Sequence, residues 1–149
     1  MSKRILISSL LGVAALGGVA AGGIAWAYGP TEPVLENTSA RYVAPTDDRT
    51  GSFTFTTDVT DDSGIKGLKV IAWPASSKLD PTEAELRHVD SAKCAAVSDE
   101  TYRCTYSFKV TKKDLAETDK GTWYVSALAT SKDGGTTFAP RAATFAIPA

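Results

Sequence analysis

The chain has one histidine, two cysteines and one methionine in 149 residues. With His88 as its single imidazole, it lacks the ligands for a histidine-rich metal site, and acid–base or nucleophilic catalysis would have to be built around that one ring. No Gly-x-Ser-x-Gly elbow occurs, so the strand–turn–helix that presents a hydrolase serine is missing too. Two cysteines are too few for a thiolate zinc centre. Basic residues form no block, which removes the electrostatic stripe that nucleic acids select and excludes nucleic acid as a partner. No repeat or low-complexity tract interrupts the chain after its first residues.

Charge is missing altogether from Ile5 to Ala27, a run preceded by Lys3 and Arg4. The run closes on Ala25-Trp26-Ala27, the small-x-small pattern of a signal-peptidase site, so cleavage is expected between Ala27 and Tyr28. There is no twin-arginine pair, and no cysteine near the cut to carry a lipid. The run also reaches the roughly 20 apolar residues that span a bilayer, so a retained anchor is the alternative. Its alanine-rich composition and Gly12, Gly17, Gly18, Gly22 and Gly23 favour cleavage, because glycine weakens a helix by up to about 1 kcal/mol per residue. The expected organisation is a signal peptide over 1–27, a flexible lead over 28–37 and one folded domain over 38–149, secreted from the cell. Loss of Lys3 and Arg4 with the leader leaves 14 basic against 17 acidic side chains, a formal charge of −3. The remaining 122 residues suffice for one hydrophobic core.

In an exported chain an even pair of cysteines reads as a disulfide, here Cys94–Cys104. The stretch before Asn37 holds Gly29-Pro30 and Pro33, which break regular structure. A first strand is expected over Ser39–Val43. Phe53, Phe55, Thr57 and Val59 alternate with Thr54, Thr56, Asp58 and Thr60, the period of two of a half-buried strand. Asp61-Asp62-Ser63-Gly64 is a turn. Ile65–Trp73 has two nearly apolar faces and is expected to be a central strand. Over residues 80–88 a short helix is expected, with Asp80 as cap, Pro81 in the first turn and Glu83 completing a capping box. Lys93–Val97 and Tyr102–Val110 form a hairpin that makes Cys94 and Cys104 cross-strand neighbours. A bend over Asp114–Lys120, a strand over Trp123–Thr130, a turn at Asp133-Gly134-Gly135 and a last strand over Thr136–Ile147 complete the chain. Pro140 in that last strand implies an edge position or a bulge. About seven strands with one short inserted helix specify an all-β, antiparallel, immunoglobulin-like β-sandwich.

Two phrases carry a resemblance. Residues 57–70, Thr-Asp-Val-Thr-Asp-Asp-Ser-Gly-Ile-Lys-Gly-Leu-Lys-Val, resemble a strand–turn–strand of bacterial immunoglobulin-like domains. Gly121–Thr130 with Asp133-Gly134-Gly135 resembles their last hairpin. Over residues 38–146 the chain resembles a family of small exported actinobacterial proteins whose function is uncharacterised. The resemblance implies architecture and brings no site residues with it. The inter-sheet Cys…Trp…Cys arrangement of antibody domains is missing, so the disulfide staples one hairpin instead.

Chemistry-bearing side chains are few. His88 is expected to be a solvated residue at the end of the short helix. Asp58, Asp61, Asp62 and Asp133 flank two turns; they could supply oxygens to calcium, but their spacing is not that of an EF-hand, and turn chemistry accounts for them. Lys109, Lys112 and Lys113 are followed at once by Asp114 and Glu117, a solvated bend. Trp73, Trp123 and Tyr124 are either sandwich core or an exposed aromatic binding surface; Trp123 and Tyr124 cannot both face one side of a regular strand. No catalytic residue, cofactor or metal is assigned. The expected function is a non-catalytic binding or structural module of the extracellular space or cell envelope. Its partner is an extracellular protein or an envelope polymer, and it touches a membrane only if the leader is retained. The alternatives are a membrane-anchored ectodomain and a secreted enzyme inhibitor presenting the stapled tip at Ser98–Arg103.

Overall fold

A computed structural model describes residues 31–149. The expected cleavage positions Ala25, Ala27 and Tyr28 lie outside the described residues. Seven strands are present among the described residues: β1 Val34–Val43, β2 Gly51–Thr60, β3 Ile65–Pro74, β4 Lys93–Ala96, β5 Thr101–Val110, β6 Gly121–Ser131 and β7 Thr136–Ile147. They form two antiparallel sheets, ordered β1-β2-β5-β4 and β3-β6-β7. That is the A-B-E-D on C-F-G order of a constant-type immunoglobulin sandwich, so the expected fold class holds.

The core lies where the pattern of two placed it. Phe53, Phe55 and Val59 of β2 face Val125, Ala127 and Ala129 of β6, with Phe145 of β7 only 4.6 Å from Phe53 between ring centroids. Thr57 also points inward and is fully buried. Its hydroxyl lies 3.0 Å from the Glu36 carbonyl and 2.9 Å from the Thr38 hydroxyl, at a bulge in β1 where Asn37 is left-handed. A buried hydroxyl without partners would cost about 1–3 kcal/mol, and the bulge supplies them.

The lead expected over 28–37 is different where it is described. Residues 31–33 form a strap against the start of β7, and β1 begins at Val34. Pro33 is fully buried, and its carbonyl accepts the Thr137 hydroxyl at 2.5 Å. Proline breaks regular pairing but loses nothing when its carbonyl and ring are both used. At the opposite side of the sandwich, residues 90–92 run beside β3. Val70 N–H donates to the Asp90 carbonyl at 3.0 Å and Ala92 N–H to that of Leu68 at 2.8 Å, immediately before the chain enters β4 of the other sheet.

β3 is therefore an edge strand, not the central one; β6 is central. Its second apolar face has another cause. Trp73 points away from the inter-sheet core, yet is only 2% exposed. It packs with Leu86 and Leu128, also buried, in a small outer core roofed by helix α1, Glu83–Leu86. The indole N–H donates to the Ser126 hydroxyl at 2.9 Å, and that hydroxyl donates to the Pro140 carbonyl at 2.7 Å. Pro140 sits in a bulge of β7, between the pairs Val125↔Ala143 and Ala127↔Ala139, at a sheet edge.

Helix α1 starts two residues later than expected. Thr82 is its cap: Glu85 N–H donates to the Thr82 hydroxyl at 3.2 Å, and the Glu85 carboxylate accepts Thr82 N–H at 2.8 Å. Asp80 instead has φ of 41°, and Pro81 is buried. The reciprocal box outcompetes a single cap because it satisfies donors in both directions. The expected bend after β5 contains a second helix, α2, Lys112–Ala116, capped the same way by Thr111 and Asp114. Cys94 and Cys104 are disulfide-bonded and directly opposite one another on β4 and β5, with Cα atoms 4.0 Å apart.

Two outcomes follow. Trp73→Ala should lower the unfolding free energy by about 3–5 kcal/mol, measured by denaturant titration, because the roof of the outer core cannot collapse onto the space. Reduction of the disulfide should cost about 3 kcal/mol by the loop-entropy model and leave the β-sheet circular dichroism in place.

Candidate functional site

Three turns meet at one end of the sandwich: Asp61–Gly64 between β2 and β3, residues 97–100 between β4 and β5, and residues 132–135 between β6 and β7. Main-chain bonds lock them together. Asp61 N–H donates to the Glu100 carbonyl at 2.9 Å, and Lys132 N–H to that of Gly64 at 2.9 Å. Asp133 N–H reaches the Ser63 hydroxyl at 3.1 Å. Gly64 takes φ of 91°, which the turn needs and other residues adopt only at a cost.

The strap closes this end. Thr31 N–H donates to Asp133 Oδ2 at 3.0 Å, and the Thr31 carbonyl lies 3.2 Å from the Ser131 hydroxyl. The carbonyl fits because Gly135 has no side chain; a Cβ there would lie 1.9 Å from it. The Thr31 hydroxyl is 2.6 Å from Asp61 Oδ1, 2.8 Å from Asp62 Oδ1 and 3.2 Å from Asp133 Oδ2. A hydroxyl has one proton, so it donates to one of the three at a time. Asp61 is 4% exposed; its other oxygen accepts both Ser63 N–H at 3.0 Å and the Ser63 hydroxyl at 2.6 Å. Asp133 Oδ1 accepts the Ser131 hydroxyl at 2.5 Å and Gly135 N–H at 3.1 Å. The Ser131 hydroxyl, the Thr31 N–H and the Gly135 N–H together hold the Asp133 carboxyl down at about 2.

Among the described residues Asp61, Asp62 and Asp133 are the group that could hold a metal ion, with one carboxylate oxygen of each within 4.8 Å of the others. With the Thr31 hydroxyl they offer four of the six to eight oxygens that calcium takes. The same oxygens serve the turns in the way the Asp-Asp-Ser-Gly and Asp-Gly-Gly sequences imply. Asp58, grouped with them by sequence, is elsewhere. It lies on the outer face of the four-stranded sheet, where Arg103 Nε at 2.9 Å and Asn37 Nδ2 at 2.9 Å bind its carboxylate. The Arg103 hydrogen bond, then that of Asn37, lowers its pKa.

The three candidate aromatics do not share a surface. Trp73 is buried in the outer core. Trp123 faces inward, half-buried, 5.9 Å from Phe145, with its indole N–H on the Asp119 carbonyl at 2.9 Å. Tyr124 faces the other way, half-buried between Trp73 at 4.9 Å and the Arg141 guanidinium at 4.3 Å from its ring centroid. An exposed platform of Trp73, Trp123 and Tyr124 is thus replaced by packing on two opposite faces of β6 and β3. His88 is exposed just past α1, its backbone N–H on the Glu85 carbonyl at 3.1 Å. Lys112 pairs with Asp47, and Lys109 projects from β5. Thr31 escapes sequence reasoning, since its partners lie 30 to 102 residues away.

A depressed carboxyl stabilises the fold above its unfolded value of about 3.9, and that contribution fades as pH falls towards the folded value. Acid unfolding followed by tryptophan fluorescence should therefore steepen between about pH 4 and pH 2. Asp133→Asn should flatten that limb and lower the melting temperature at neutral pH; an unchanged acid limb would remove Asp133 from the account. Gly135→Ala should also destabilise, by displacing the strap.

No curated protein and no solved structure matches the chain. A family model does, over residues 35–129, from the start of β1 to within two residues of the end of β6. The matched span contains the disulfide, the outer core's Trp73 and Ser126, and two of the three turns at the loop end. It is described as a family of unknown function, DUF5707, and the chain belongs to that family.

Proposed function

We propose that the chain is an exported, non-catalytic binding or structural module of the extracellular space or cell envelope. The observation that carries this is the locked loop end. Three turns and the strap are bonded to one another and braced by a disulfide hairpin, the construction of a rigid scaffold that presents surface. The disulfide suits an oxidising compartment, and the uncharged run over 5–27 suits export. Membership of an uncharacterised family is consistent with the resemblance to small exported actinobacterial proteins. The imidazole of His88 has no nucleophile or orienting carboxylate bonded to it among the described residues, so the chemistry of a hydrolase has no support from it. The partner is an extracellular protein or an envelope polymer.

The uncharged run supports a second version, an ectodomain held by an uncleaved anchor. Intact-mass analysis of the native protein from medium and from membranes separates the two. A soluble species beginning at Tyr28, alkylated only after reduction, is the expected result. A membrane species retaining residues 1–27 would replace it with the anchored form, and a reduced protein in the medium would remove the oxidising compartment.

A further inference from the structure

β5 is ten residues long and its outer neighbour β4 only four, pairing with Tyr102 to Thr105. Before Lys93 the chain leaves for β3, so among the described residues nothing continues β4 alongside the second half of β5. The direction of the free groups follows from the ladder. Asp61 N–H bonds the Glu100 carbonyl towards β2, whereas Val97 N–H bonds that of Thr101 on the β4 side. Odd-numbered residues of β5 therefore aim their backbone groups outward, and Ser107 and Lys109 present an N–H and a carbonyl each with no partner on that side among the described residues. Between them Phe108, 43% exposed, lies on the inner side of the edge with its ring 5.2 Å from Phe53 and 5.9 Å from Tyr106. Such an edge is a template for another strand.

A second, independent feature surrounds it. Register places three rows on the outer face of this sheet: Ser39–Thr56–Thr105–Lys93, Arg41–Thr54–Ser107 and Val43–Ser52–Lys109. They contain hydroxyls, one valine and three cations, and no carboxylate. Lys93, Lys109 and Arg41 form no ion pair among the described residues, although the chain as a whole has 17 acidic side chains to 16 basic ones. The inner side differs, because Asp90 stands there against the Tyr106 hydroxyl at 3.4 Å.

We propose that the open edge of β5 takes up an extended acidic segment of another protein as an added strand. Ser107 and Lys109 supply its main-chain hydrogen bonds, and Lys93 and Lys109 face its outward carboxylates. Alternation follows from the geometry: acidic residues lie on the outer face over the cations, apolar residues on the inner side over Phe108, away from Asp90. A polypeptide is favoured over other polyanions because it alone repeats N–H and carbonyl at ladder spacing. This deepens the binding-module reading and rests on it.

The probes are a fluorescent, terminally blocked hexapeptide of alternating Glu and Val, its Lys–Val counterpart, and inorganic polyphosphate, each titrated into the mature protein with amide chemical shifts as a second readout. Expected are binding of the Glu–Val peptide, shifts centred on Ser107 and Lys109, and little binding of the Lys–Val peptide. Ser107→Pro removes an N–H outside the existing ladder, so the fold keeps its bonds while the added strand loses one; affinity should fall about tenfold, which is a loss of one strong bond. Lys93→Glu with Lys109→Glu, a surface change that serves even if the proline variant misfolds, should reverse the preference between the peptides. Equal binding of both peptides, no shifts up to millimolar peptide, or undiminished binding by a folded Ser107→Pro protein would overturn the proposal. So would polyphosphate displacing the peptide without touching the Ser107 amide, which would assign the face to a different polyanion. A protein that ignores the peptide yet holds a native envelope partner would refute the edge alone, whereas failure to hold any partner would refute the module.

Discussion

Backbone groups at a sheet edge must find partners or water, and in this sandwich that constraint determines the course of the chain. Each sheet has two edges; that of β3 is closed by main-chain bonds to residues 90–92, and that of β7 is flanked by the strap, held there through the Thr137 and Ser131 side chains. The strap at 31–33 serves β7 before the chain enters β1, and residues 90–92 serve β3 before it enters β4. Crossing between sheets at both sides ties the layers together through hydrogen bonds as well as through the core. It also explains the shortness of β4. Residues spent closing β3 are not available to extend along β5, so satisfying one edge leaves part of another open.

The parts of the fold legible in the sequence were those where one local rule decides. β2 alternates because one face meets a core and the other meets water, and its register, turn and burial all follow from that. The hairpin joining β4 and β5 was legible for the same reason, as was the irregularity at Pro140. β3 was harder. Two apolar faces usually mean a strand with neighbours on both sides, but here the second face belongs to Trp73 under a four-residue helix, and burial by a roof leaves the same trace as burial by strands. The cap at Thr82 and the cap at Asp80 satisfy the same sequence rule, and only the reciprocal bond from Glu85 distinguishes them. The candidate site was legible in its turns and not in its assembly. Asp61, Asp62 and Asp133 each announce a turn, while their meeting around Thr31 depends on contacts of 30 to 102 residues that no window of sequence contains. The same holds for the cations of the outer face, which are scattered in sequence and gathered only by strand register.

Charge is therefore unevenly spread, with Lys132 the cation of a mainly acidic loop end. Asp62, Asp99, Glu100 and Asp133 are exposed at the loop end, and the far half of the outer sheet face carries only cations. A net charge near neutrality conceals this dipolar arrangement. Short-range association with such a protein depends on which face a partner meets, since beyond about 8 Å at physiological ionic strength the two regions are screened from one another's targets.

The strap also bears on the order in which the structure forms. Residues 31–33 are synthesised first among those described, and their partners Ser131, Asp133 and Thr137 come about a hundred positions later. Contacts of that separation close long loops, whose entropy cost precedes the contacts that offset it. Those bonds must wait until nearly all of the chain is present, whereas β1 can already pair with β2 and the Thr31 hydroxyl can already reach Asp61. The strap thus joins the first of the described residues to the last strand, and a chain interrupted before β7 keeps β1 on β2 but lacks the Thr137 hydroxyl that holds the Pro33 carbonyl.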